Sequence, residues 1–192
     1  MERQDGQVAV FDTRLRDEPY RAADLRFLER TVKLLLWSVG GWRVRICGCD
    51  ELTQELARIY SPAGIRAFDA DFMETVFRRP FVLEAVPGAE LPAPRSGARR
   101  IGGHWNGCRI GFDAGGSDRK VSAVIDGETV YSEEVVWHPK TQTDPRYHYE
   151  GSLSAFRAAA SKMPRGDGIG VSSAGVFVGN APMVSSLFIQ VP

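Results

Sequence analysis

The 192-residue chain reads as an α/β protein in two parts. A small α/β extension of strand-helix repeats over 1–86 is joined by a linker at 87–103 to a partial domain over 104–192, built on an antiparallel three-strand hairpin unit. Three observations predict this. Around Ile110 and Phe112 apolar residues alternate with small or polar ones, as a half-buried strand requires. Two more alternating runs follow, separated by turns at Gly115-Gly116 and Asp126-Gly127, and Asp-Gly is the strongest short-range hairpin signal. In the first half, helix-period segments are interleaved with short apolar runs, the order expected of a small parallel sheet whose neighbouring strands need crossover helices. Between the halves, Pro87-Gly88, Pro92-Ala93-Pro94, Ser96-Gly97 and Arg99-Arg100 show no periodicity and read as a linker.

Taken in order, Val8-Ala9-Val10-Phe11 is expected to be a short buried strand. Pro19 stands ahead of a long helix carrying Leu25, Leu28, Val32, Leu35 and Val39, with Arg26, Glu29, Arg30 and Lys33 opposite and Gly40-Gly41 at its end. Arg43 to Cys47 alternates as a strand. Asp50 is the expected cap of a helix with Leu52, Leu56 and Ile59, and Gly48-Cys49-Asp50 reads as a capping turn. Ile65 to Phe68 is read as another strand, Asp69 as the cap of a helix through Phe72, Val76 and Phe77, and Phe81 to Leu83 as a strand. Beyond the hairpin unit, Trp137-His138-Pro139-Lys140 opens a polar loop running through Tyr147-His148-Tyr149. Ser152 is expected to cap a helix with Leu153, Phe156, Ala160 and Met163 on one face. Strands at Ile169 to Val171 and Ser186 to Val191 close the reading.

Composition excludes several classes of function. Lys plus Arg number 24, as do Asp plus Glu, so there is no basic field to draw the chain to nucleic acid or to a membrane surface. No apolar run reaches the roughly 20 residues of a membrane span, and the first residues lack a signal peptide's apolar core, so a cytoplasmic location is expected. The cysteines, Cys47, Cys49 and Cys108, lack zinc-knuckle spacing and are expected to be reduced and mostly buried. His104, His138 and His148 have no metal-ligand spacing and are expected at surfaces or interfaces. Gly170 to Ala174 is a near miss to a nucleophile elbow, but no histidine follows Ser172, so the hydrolase order cannot be met.

Asp113 is the sharpest candidate. It falls at the end of a strand, facing away from the apolar side, beside Gly115-Gly116, whose backbone is expected to adopt positive φ and bare its N–H groups to a phosphate. A carboxylate there can hold a hydrated magnesium ion, which needs only one or two protein carboxylates. The alternative is an aspartate that only bonds its own turn. Gly111 to Ser117 is not a Walker loop, since Ser117 stands where lysine would.

The stretch Arg109 to Ser117 with its following hairpin, then Gly168 to Gly175 and Gly179-Asn180-Ala181-Pro182, resembles the sugar kinase, Hsp70 and actin superfamily, and within it the ROK family of sugar kinases and sugar-responsive repressors. The resemblance covers roughly 109–192. It implies a ribonuclease-H-like (actin-like ATPase) fold for this part, ATP and Mg as cofactors, and an amino-terminal part of an ATP-dependent sugar kinase. It also implies cofactor contacts at Asp113, Gly115, Gly116 and Ser117, with Asp113 as metal ligand, and sugar-side contacts at Ser172, Ser173 and Asn180. The family's Gly-Gly-Thr-Lys stands here as Gly115-Gly116-Ser117-Asp118, its Pro-Gly-Pro as Ser172-Ser173-Ala174, and Met183 stands where asparagine often follows Ala-Pro. No catalytic base is found in the matched region, so no catalytic residue is assigned and the chain is expected to be a fragment, inactive alone. The second reading is a non-catalytic sugar-sensing or assembly module that keeps the kinase-like scaffold. The partners expected are a nucleotide and a sugar, with self-association through apolar surface around Val176, Phe177, Leu187 and Phe188.

Overall fold

The structure, a computed structural model, describes residues 1–16, 19–98 and 102–192. The chain divides into two compact units, Met1–Arg99 with Val178–Met183, and Arg100–Phe177 with Val184–Pro192. Positions 99–101 of the expected linker lie outside the described residues.

In the first unit, helix α1 (Arg21–Ser38) forms where the 3.6-residue period places it and buries Leu28, Val32 and Leu36. Gly40, in the left-handed region at φ 78°, follows its end. Strand β1 (Arg43–Ile46), helices α2 (Asp50–Ile59) and α3 (Ala67–Phe77) and strand β2 (Val82–Ala85) follow in this unit. The two strands pair in parallel, from Arg43 opposite Val82 to Ile46 opposite Ala85.

The expected parallel sheet therefore loses two of its strands. Val8 makes only isolated bridges, to Glu2 and Arg95, and Val10 and Phe11 are exposed, so this run buries too little apolar surface to hold a strand in a sheet. Ile65 lies in a turn, and Ala67 and Phe68 already belong to α3, where Phe68 stacks on Trp37. A four-residue apolar run fits either period, and here the helix claims it. Asp69 is not a cap. It is buried inside α3's first turn and accepts a hydrogen bond from Trp37 Nε1 at 2.6 Å, while Arg66 occupies the cap position. Asp50 is the first residue of α2, with Cys49 at the cap. Glu29, expected on the polar side of α1, is buried and ion-paired with Arg66. A buried carboxylate persists only where a partner offsets its lost hydration.

The second unit holds a four-stranded mixed sheet. Strands β3 (Cys108–Ala114), β4 (Asp118–Ile125) and β5 (Glu128–Val136) are consecutive and antiparallel, as the alternation predicts. Asp126 and Gly127 both take left-handed φ, 50° and 91°, as a two-residue primed turn demands. Helix α4 (Pro145–Ala160) then crosses over to β6 (Gly168–Ser173), which lies parallel to β3, giving the order β5-β4-β3-β6.

Helix α4 begins one turn and more before the expected cap at Ser152, so Tyr147-His148-Tyr149 is helix and not loop. The start signal is Asp144-Pro145: the Asp144 carboxylate accepts from Arg146 N–H at 2.9 Å, and proline is pre-set for the first helical position. Ser152 donates back to His148 C=O inside the helix instead. Ile110, Phe112, Val121 and Ala123 on the sheet and Ala155 and Ala159 on α4 share one buried cluster, and Phe156 meets Phe112 edge to face at 4.9 Å.

Strands β7 (Val176–Val178) and β8 (Ala181–Val184) pair as a separate hairpin. The expected last strand is replaced by a 3-10 turn at Ser186–Phe188, because Ser185 Oγ accepts from Leu187 N–H and turns the backbone. Leu187 is buried and Phe188 packs on His148 at 4.8 Å, so neither contributes the uncovered surface expected of it. The exposed large apolar residues of this region, among the described residues, are Ile169, Val171, Phe177 and Ile189. No helix among the described residues is long and apolar enough to cross a membrane.

The starts of β3 and β6 are tied by Asp167, whose Oδ2 accepts from Cys108 N–H at 2.8 Å. Arg165 holds this carboxyl below its ordinary value of 3.8, and the Cys108 N–H adds to that. Because the folded state favours the carboxylate, its contribution to stability is complete above the ordinary value and is lost as pH falls through the lower folded one. Asp167→Asn should therefore lower the melting midpoint slightly at neutral pH, and the gap to the parent should close in acid. A gap that stays constant across the acid limb would contradict this.

Candidate functional site

The alternation of β3 buries Cys108, Ile110, Phe112 and Ala114 and leaves Asp113 in solvent at the strand's carboxyl end. The register sets Asp113 beside Ser172 and Ala114 beside Ser173 on the parallel β6. Ser172 Oγ donates to Asp113 Oδ1 at 2.6 Å, while Ser173 Oγ makes a long bond, 3.4 Å, to Ala114 C=O. The Ser172 bond is the only one Asp113's carboxylate accepts among the described residues, so Oδ2 remains open. At this end β3 leaves toward the antiparallel β4 while β6 runs parallel to it on the other side, and the carboxyl ends of parallel strands are where α/β sheets bind ligands.

The turn Gly115 to Ser117 follows at once. The expectation that Gly115 and Gly116 adopt positive φ is corrected: neither does. At Gly115 the need for glycine is steric, whereas at Gly116 the close neighbour is the flexible end of a lysine side chain. A Cβ on Gly115 would stand 2.6 Å from Asp118 C=O, and one on Gly116 would stand 2.5 Å from Lys140 Cε. The turn is held from behind by Trp137, whose Nε1 donates to Gly115 C=O at 2.8 Å and whose own N–H bonds Ser117 C=O at 3.1 Å. Trp137 is buried, so this brace is shielded from competing water.

Asp113, Gly115, Gly116, Ser117, Ser172 and Ser173 thus gather at one end of the sheet. Asn180 does not join them. It occupies the β7-β8 turn with φ 64°, and its segment groups with the other unit. No protein-family model matches the chain, and no curated protein does.

Two residues of this site escape sequence reasoning. The sequence places Trp137 and Lys140 at the entrance to a polar loop, yet both lie against the glycine turn. Their signal is the Pro139 after β5, fully buried and opening a 3-10 turn at Pro139–Thr141 that directs the chain back over the strand ends. His148 is also corrected, being a core residue and not a surface one. It is buried, with Nε2 3.1 Å from Pro139 C=O and 2.8 Å from Leu187 C=O. Since both neighbours can only accept, Nε2 carries the proton.

Charge near the turn is mixed. Lys120, the cross-strand neighbour of Asp113, is drawn to Asp118 and Glu134 at 3.9 and 3.8 Å. Asp118 Oδ1 lies 2.9 Å from where a Gly115 Cβ would stand. No group of three or more His, Cys, Asp or Glu side chains is arranged to hold a metal among the described residues. An exposed carboxylate with a free oxygen does fit a magnesium ion that keeps most of its waters.

The amino-terminal unit has its own concavity, a cavity of about 840 Å³ lined in part by Val10, Leu35, Cys47, Gly48 and Cys49. None of the residues gathered around Asp113 lines it. The thiols are free, but the expectation that they are mostly buried is corrected: only Cys108 is fully buried and Cys47 is exposed.

Proposed function

We propose that the carboxy-terminal unit binds the phosphates of a magnesium nucleotide, as the phosphate-binding part of a ROK-like, ATP-dependent sugar kinase or sugar-responsive relative. The observation that carries this is Asp113, fixed by Ser172 at the carboxyl end of β3 beside a turn whose Gly115 leaves no room for a side chain. The sheet supports the finer, ribonuclease-H-like reading, because three antiparallel strands are followed by a helix and a fourth strand parallel to the first. Magnesium bound here would neutralise phosphate charge, and ATP would supply the phosphoryl group. The protein's part is to position: Asp113 offers Oδ2 to the hydrated ion, Ser172 fixes the carboxylate's rotamer, and the glycine turn lets phosphate oxygens approach the backbone. Ser172 and Ser173 set the edge of a sugar subsite.

The second reading, a non-catalytic sugar-sensing or assembly module, is favoured by Asp118. Its carboxylate beside Gly115 repels phosphate on that side of the turn, where the resembling family places a lysine. Calorimetric titration with ATP, with and without magnesium, separates the two. The kinase-like reading expects binding that strengthens with magnesium, and an absence of nucleotide binding in both titrations would overturn it.

A further inference from the structure

The glycine turn has a cation of its own. Lys140 Nζ lies 2.7 Å from where a Cβ on Gly116 would stand. Unlike Lys120, it makes no ion pair among the described residues, and its side chain stands in solvent. Its backbone is fixed on several sides. Pro139 is fully buried, the 3-10 turn is closed by Gln142 N–H to Pro139 C=O at 3.2 Å, and His148 Nε2 lies 3.1 Å from that same carbonyl. Trp137 then ties the other flank of the turn through Gly115 C=O at 2.8 Å. A lysine on a mobile loop would sweep a wide volume. This one leaves a braced turn and lies along a glycine whose missing side chain makes the space for it.

We propose that Lys140 is the anion-binding residue of this site, its ammonium taking a non-bridging oxygen of a polyphosphate seated at Gly116; this rests on the phosphate-binding reading above. The turn is polarised, with the Asp118 carboxylate at Gly115 and the Lys140 ammonium at Gly116, so the anion sits toward Gly116. Lysine suits that task because it is a compact point charge with three donors that can follow a phosphate oxygen without fixed planar geometry. It is also why an acidic Asp118 is tolerated: the positive charge comes from the segment after β5.

Inorganic tripolyphosphate tests Lys140 without magnesium or a nucleoside. Titrated into the full chain at low salt, it should bind the parent protein, bind Lys140→Gln roughly tenfold more weakly or worse, and bind Lys140→Arg within a few-fold of the parent, since a charge-assisted contact is lost in the first and kept in the last. The Lys140 side chain is exposed, so both variants should melt with the parent. Equal binding by Lys140→Gln, or no binding of tripolyphosphate by the parent, overturns the assignment. If tripolyphosphate binds through Lys140 but magnesium ATP does not bind, the kinase-like reading fails and the anion site stands.

Discussion

Asp113→Asn should abolish the magnesium dependence of nucleotide binding. The substitution keeps the side chain's size and leaves Oδ1 as an acceptor for Ser172 Oγ, now 2.6 Å away, so the local geometry of β3 and β6 is retained. What disappears is the negative charge on Oδ2, the oxygen left open among the described residues. A contact involving a full charge contributes about 1.5–3 kcal/mol, so affinity in the presence of magnesium should fall roughly 10- to 100-fold, to the level measured with chelator. Calorimetry with a melting curve for each protein checks this. If the variant keeps a magnesium-dependent gain, the ion is held elsewhere and Asp113 only braces its own turn.

The largest stability effect is expected one residue earlier. Phe112 is buried between β3 and α4, with Phe156 against it at 4.9 Å, and Val121 opposite it on β4. Phe112→Ala removes an aromatic side chain from the centre of the second unit's core and should destabilise that unit by about 3–5 kcal/mol, a sum of lost burial and the cavity left behind. Denaturant unfolding of the full chain should show one of two transitions moved to lower concentration. Phe112→Leu, which keeps most of the volume, should recover more than half of the loss. An unchanged unfolding profile for Phe112→Ala would mean that α4 does not pack on this face.

The hairpin unit and Asp113 were legible because their signals are local. Alternation over seven to nine residues fixes which side chains face the core, and Asp126-Gly127 names its own turn. Of the four short strands expected in the first half, those at Arg43 to Cys47 and Phe81 to Leu83 form, whereas a run such as Ile65 to Phe68 satisfies a helix as well as a strand until a neighbour such as Trp37 decides. Glu29 was placed on a polar face because its partner, Arg66, comes from the far side of α2 in the chain. The sequence predicts positive φ at Gly115 and Gly116, and neither adopts it. Glycine can signal either backbone freedom or a close approach, and only the positions of Asp118 and Lys140 distinguish them. Lys140 itself could not be found by motif, because its link to the turn runs through buried Pro139 and His148.

Amide chemical-shift mapping by ¹H–¹⁵N NMR during titration with magnesium ATP tests the central claim, that phosphates bind at the glycine turn beside Asp113. The largest shifts should fall on the N–H groups from Asp113 to Ser117 and on Ser172, and Asp113→Asn should remove the magnesium-dependent part. Shifts absent from that turn, or concentrated on Cys47, Gly48 and Cys49 around the amino-terminal cavity, would contradict it.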